Sequence, residues 1–169
     1  DSYIDPIETY STNVMGTANV LEACRLSKSV RSIINITTDK CYKNEGSLWG
    51  FRETDELGGN DPYSNSKACS ELICQAYNKS FFEMNNIRLI TARAGNIIGG
   101  GDWSEDRIVP DIIRSIGRKK NLKVRNPHAT RPWQHVFDAL NGYLLLAQKL
   151  YLKPYQFSGP WNFGPNPQS

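Results

Sequence analysis

Tyr63 and Lys67, four residues apart, are the pair in this chain whose types and spacing suit proton transfer. They sit in Asp61-Pro62-Tyr63-Ser64-Asn65-Ser66-Lys67 at a helix start, so both side chains share one helical face. A neighbouring ammonium favours the phenolate electrostatically. Such a tyrosine is usable as a general base near neutral pH, and the same lysine can hydrogen-bond a ribose. Tyrosine and lysine at this spacing also occur on many solvated helix faces. What distinguishes this pair is a strand, one loop earlier, that ends in Thr37-Thr38. Asp39-Lys40 comes directly after it; as a bare dipeptide that pair reads as a solvated turn.

The elements that must position these residues follow from periodicity. Ile7, Tyr10, Val14, Ala18 and Leu21 recur at three- and four-residue steps, which predicts a helix over residues 6–26 with Pro6 in its first turn. Ser32-Ile33-Ile34-Asn35-Ile36-Thr37 is short and β-branched, as a buried strand is. Residues 39–62 carry Gly46, Gly50, Gly58, Gly59 and many charges, a loop of the length that function or disorder usually explains. A second helix runs from Tyr63 to Phe82, and a second strand follows at Ile87-Arg88-Leu89-Ile90-Thr91-Ala92. This alternation predicts a doubly wound, Rossmann-like α/β sheet with parallel strands, whose site lies at the carboxyl ends of the strands. Thr37-Thr38-Asp39-Lys40 and Arg93-Ala94-Gly95-Asn96 occupy those ends. Beyond them the pattern predicts a helix over Ile108–Ile116, a strand around Leu122-Lys123-Val124, an extended piece over Arg131–Val136 and a helix over Phe137–Leu150.

Composition excludes several classes. With 20 Lys+Arg against 17 Asp+Glu in 169 residues, the charge of +3 is too weak and diffuse for nucleic acid. The longest apolar runs fall far short of the roughly 18 residues a membrane span needs. Cys24, Cys41, Cys69 and Cys74 include no C-x-x-C pair, and His128 and His135 have no acidic or cysteine neighbour at ligand spacing, so no metal site is expected. A reduced, cytoplasmic setting suits these cysteines. The sequons at Asn35 and Asn78 fall in a strand and a helix and read as coincidence.

Several motifs then stand in a familiar order: Asn13-Val14-Met15-Gly16-Thr17, Thr37-Thr38-Asp39-Lys40-Cys41-Tyr42, the Tyr63/Lys67 pair and Arg131-Pro132-Trp133-Gln134-His135-Val136. Together they resemble the extended short-chain dehydrogenase/reductases, which act on nucleotide sugars, over nearly the whole chain. Pro6-Ile7-Glu8-Thr9-Tyr10, Gly99-Gly100-Gly101-Asp102-Trp103 and Arg131-Pro132-Trp133 are most similar to the branch that dehydrates hexoses, and imply CDP-glucose as substrate with NAD as cofactor. The resemblance implies that Tyr63, assisted by Lys67 and Thr38, takes the proton of the sugar 4-hydroxyl. Asp39 would be the acid beside carbon 6. Many hexose dehydratases place Glu next as the base at carbon 5; here Lys40 stands there, able to abstract that proton if neutral or to stabilise the enolate if charged.

The resemblance further implies that Thr37, Tyr63, Lys67 and Ala94 contact the cofactor, and that Asn96, Arg107, Arg131 and Asn162 contact the substrate. An amide donor and a planar guanidinium suit a pyrophosphate. Gly99-Gly100-Gly101 lacks both G-x-G-x-x-G and P-loop spacing and reads as a turn allowing close backbone approach. Neither the glycine-rich turn nor the acidic residue that holds the adenosine half of NAD is found. The expected organisation is therefore the C-terminal half of a Rossmann domain over 1–95, its first strands absent, and part of a smaller nucleotide-sugar-binding domain over 96–169. The opening DSYIDPIETY reads as the middle of a longer chain. A homodimer or homotetramer is implied, through a bundle of the first two long helices. Two alternatives stand beside the dehydratase: a 4-epimerase, which needs no acid at carbon 6, and a non-catalytic NAD-binding relative.

Overall fold

The computed structural model describes residues 2–46, 49–153 and 156–165. Residue 1, residues 47 and 48 of the long loop, and the last four residues of the expected second domain lie outside the described residues. The first helical run starts where Asp5 accepts a hydrogen bond from Glu8 N at 2.9 Å, with Pro6 in the first turn. It comprises α1 (Pro6–Tyr10), a π turn (Ser11–Met15) and α2 (Gly16–Leu26). The π turn breaks the 3.6-residue phase of the apolar stripe. Leu21 is buried, while Ile7, expected on the same stripe, is 76% exposed.

β1 (Ser32–Thr38), α3 (Pro62–Tyr77) and β2 (Arg88–Ala94) form a βαβ unit. α3 continues through a π turn and a 3-10 turn to Asn86, whose left-handed φ of 54° ends it. β1 and β2 are parallel, in register from Ser32↔Arg88 to Thr38↔Ala94. β5 (Trp161–Phe163) pairs in parallel on the far side of β2, giving the order β1-β2-β5. Both faces of the sheet are covered. Leu89 packs with Leu21, Cys74, Phe82 and Ile87 on one side, and Ile90 with Leu146 and Leu150 on the other, as the two-residue period of a strand demands.

The second helix of the last third, α5 (Val136–Leu152), supplies that second layer, and α4 (Ile108–Gly117) forms where the pattern places a helix. The range 96–169 thus contributes α5 and β5 to the main sheet. Two details differ from expectation. Leu122-Lys123-Val124 is not a strand: it pairs with no other strand among the described residues, and it follows Lys119, whose φ is 51°. An extended run without a partner edge has nothing to satisfy its backbone groups but water. Conversely, β3 (Ile97–Ile98) and β4 (Gln134–His135) make a short parallel pair that only two residues on each side encode.

Candidate active site

Asp61 sets the start of α3. Its carboxylate accepts from Ser64 N at 3.0 Å and from the Ser64 hydroxyl at 2.5 Å. Burial opposes the Asp61 charge, but these hydrogen bonds outweigh it and hold its pKa below the ordinary value. Gly59 lies so close to this turn that a Cβ there would stand 2.5 Å from Asn65 N. The helix so begun places Tyr63, Lys67 and Glu71 at successive four-residue steps along one face.

At the end of β1, the buried Thr38 donates to Asp39 Oδ1 at 3.1 Å and accepts from Lys40 N at 3.3 Å. Asp39 and Lys40 lie in a single 3-10 turn that Thr38 caps. Tyr63 meets this turn. Burial raises its phenol above the usual tyrosine range; the Thr38 hydroxyl opposes that rise, the Asp39 carboxylate adds to it and the Arg107 charge offsets it. Lys40 Nζ stands 5.8 Å from the Tyr63 ring centroid. Burial lowers the pKa of Lys67. Among the described residues no hydrogen bond or ion pair engages the Lys67 ammonium.

The end of β2 completes the mouth. Ala94 is buried in register with Thr38, and Thr37 faces Arg93. Gly95 follows, and a Cβ there would overlap the Pro132 ring and stand 3.1 Å from Asp39 Oδ2. Pro132 therefore closes on residue 95, beside Asp39, only because residue 95 has no side chain. Asn96 O accepts from Gln134 N at 3.0 Å, which anchors the same segment.

Thr37, Thr38, Asp39, Lys40 and Ala94 thus lie at two adjacent strand ends, where Tyr63 of α3 meets them, while Lys67 stands one turn further along α3 and the Thr37 hydroxyl is turned to Glu71. Asn96 and the exposed Arg131, which donates to Thr130 O at 2.8 Å, border them. Arg107 is exposed, 3.4 Å from Asp102, and acts on Tyr63 through its charge. Asn162 is turned elsewhere. Its amide accepts from the Tyr42 hydroxyl at 2.6 Å and donates to Phe51 O at 2.8 Å, fastening the 42–57 loop to β5. Among the described residues no group of His, Cys, Asp and Glu side chains could hold a metal ion, and no helix is long and apolar enough to cross a membrane.

Glu71 escaped the sequence reading, and Arg93 and Tyr42 stood in its motifs without a role. Arg93 carried a usable signal, being a charge in the interior of a buried strand, which demands a buried partner. Glu71 had the other half of it, lying one turn beyond Lys67 on the same face.

Residues 1–156 match the family described as NAD dependent epimerase/dehydratase. A CDP-glucose 4,6-dehydratase from Salmonella typhimurium is 51% identical over 169 residues, covering 97% of this chain and 47% of that protein. A dTDP-D-glucose 4,6-dehydratase from Dictyostelium discoideum is 27% identical over 160 residues, 88% of this chain and 36% of its own length. Among solved structures, a dTDP-glucose 4,6-dehydratase from Bacillus anthracis in complex with NAD superposes with a TM-score of 0.74 at 26% identity, covering 93% of this chain and 47% of that one. One from Streptomyces venezuelae with NAD bound gives 0.77 at 21% identity, over 96% and 47% of the two chains, and shows the shared fold. The chain spans less than half the length of each of these relatives.

Proposed function

The chain belongs to the NAD dependent epimerase/dehydratase family, and from that premise we propose that it carries the catalytic centre of a nucleotide-sugar 4,6-dehydratase acting on CDP-glucose with NAD. The observation that carries this reading is Tyr63 of α3 facing the Thr38-Asp39-Lys40 turn at the end of β1, where Lys40 Nζ stands 5.8 Å from the tyrosine ring centroid and Thr38 bonds Asp39. The 51% identity to a CDP-glucose 4,6-dehydratase supports the substrate. The residues fit the cofactor: the Lys67 ammonium, half-buried and with no acceptor among the described residues, suits ribose hydroxyls. When bound, NAD supplies the acceptor for the hydride that leaves carbon 4 and later returns to carbon 6.

The chain's own groups handle the protons. Tyr63 takes the proton of the 4-hydroxyl. Burial holds its phenol above the ordinary range and the Arg107 charge offsets that rise; a positive charge beside it, from Arg107 or from Lys67 one turn along α3, favours the phenolate during reaction. The resulting 4-keto group acidifies carbon 5. Asp39 protonates the departing 6-hydroxyl, its carboxyl held by Thr38 and lying beside Gly95. Lys40, whose Nζ stands 5.8 Å from the Tyr63 ring centroid, accepts the proton of carbon 5 through its neutral amine while Asp39 gives its own proton to the 6-hydroxyl, which leaves as water. Asn96, Arg107 and Arg131 receive the sugar diphosphate; Asn162 contributes by fixing the loop. The protein works in the cytoplasm as a homodimer or homotetramer, without metal.

The full-length protein incubated with CDP-glucose and NAD yields a 4-keto-6-deoxy sugar, read by its absorbance in alkali. Formation of the C4 epimer instead would assign the 4-epimerase reaction, and no product from any nucleotide hexose would overturn the reading.

A further inference from the structure

Resting on that reading, we propose that Glu71 and Arg93 are positioning residues, a buried ion pair that fixes the height and rotation of the Tyr63/Lys67 helix against the Thr38-Asp39 turn. Both side chains are 1% exposed, and Arg93 Nη2 donates to Glu71 Oε2 at 2.8 Å. The Glu71 carboxylate also accepts from Thr91 Oγ1 at 2.7 Å and from Thr37 Oγ1. One carboxylate on α3 is therefore held by both strands that end at the site, and one of its donors is the residue preceding Thr38. Arg93 extends the connection: its Nη1 donates to the Tyr42 hydroxyl at 2.7 Å and to Glu53 O at 3.1 Å, and its guanidinium stacks 4.9 Å from the Tyr42 ring. Tyr42 in turn donates to Asn162 on β5.

The lever is geometric. A one-residue slip of a helix moves it by about 1.5 Å and turns it by roughly 100°, and either change would carry Tyr63 away from Thr38. Asp61 fixes the start of α3, Asn65, Ser66 and Ser70 bond to the first helical run, and Cys74 accepts from Asn35 of β1. Glu71, two turns beyond Tyr63 on the same face, adds the charged anchor that joins α3 to both β1 and β2, and its three donors leave little freedom. A buried ion pair contributes little net stability compared with packed apolar residues of similar size. Its value here lies in direction, since an apolar pair would fill the space without fixing the helix relative to Thr37.

The test uses the full-length protein with Glu71→Met and Arg93→Met combined, so that no charge is left buried alone. Two milder variants, Tyr42→Phe and Thr91→Val, each remove one oxygen and no charge. Turnover is measured with CDP-glucose and NAD. The Tyr63 phenol is titrated by NMR on carbon-13-labelled tyrosine, assigned by its loss in Tyr63→Phe. The double variant is expected to keep its thermal midpoint and KM, to lose at least tenfold in kcat, and to shift the Tyr63 titration. The milder variants shift it in the same direction and lower kcat by a few fold. A double variant that folds with wild-type kcat and titration would overturn the proposal; if it does not fold, unchanged titration and kcat in both milder variants would do so. Should the wild type turn over no nucleotide hexose, the dehydratase reading falls, while the titration still judges the positioning role.

Discussion

Asp39 is held on one side by the Thr38 hydroxyl and lies on the other beside Gly95, on which Pro132 closes. Replacing it by Asn preserves that shape and removes the transferable proton. Asp39→Asn is therefore expected to retain the initial oxidation, seen as cofactor reduction in a single turnover, and to lose dehydration by roughly 10²–10⁴-fold, the range for one acid–base group. A variant that still dehydrates at the wild-type rate would move the acid elsewhere. Tyr63→Phe differs in kind. Without the phenol the 4-hydroxyl keeps its proton, so both cofactor reduction and product formation fall by a similar factor.

At the scale of elements, the site depends on where α3 begins and on how closely the Pro132 segment approaches Gly95 after β2. The Asp61 side chain satisfies the Ser64 amide at the helix start, so Asp61→Ala is expected to cost about 1 kcal/mol, read from urea unfolding. Activity should fall with it, because the first turn carries Tyr63. Gly95→Ala tests the other approach. Its Cβ would collide with Pro132 and press on Asp39, so kcat is expected to fall sharply while the helical circular dichroism is unchanged; full activity would show that the Pro132 segment can withdraw without consequence. The Leu122-Lys123-Val124 segment illustrates why elements are harder to read than residues. Its composition suits a strand, yet a strand exists only where a neighbouring edge is available.

For the whole molecule, buried thiols link stability to alkaline pH. Burial pushes Cys41 and Cys74 from an ordinary value of 9.0 up to about 12. The folded state therefore keeps these protons where the unfolded chain releases them. The stabilisation is fully present below the unfolded value and is lost as pH rises from 9 toward 12. Urea unfolding at about pH 8 and about pH 11 should show a smaller alkaline loss for Cys74→Ala than for wild type; equal losses would place the alkaline sensitivity in other groups.

Much of this was legible in the chain itself. The Tyr63/Lys67 spacing, the two β-branched strands and the proline-initiated helices are local patterns, and local backbone geometry turns each directly into a helix face or a strand end. The residue types Asp39, Thr38 and Lys67 likewise state what protons can be moved. What only tertiary structure decided is which of these ends meet. Tyr63 reaches Thr38 because β1 and β2 pair in one register and α3 packs across them. Asn162 serves the 42–57 loop because β5 returns beside β2, bringing it to Tyr42 across 120 residues of chain. Glu71 and Arg93 join across 22 residues. Such contacts depend on strand register and helix rotation, which are set by packing the whole core at once, and no window of sequence encodes them.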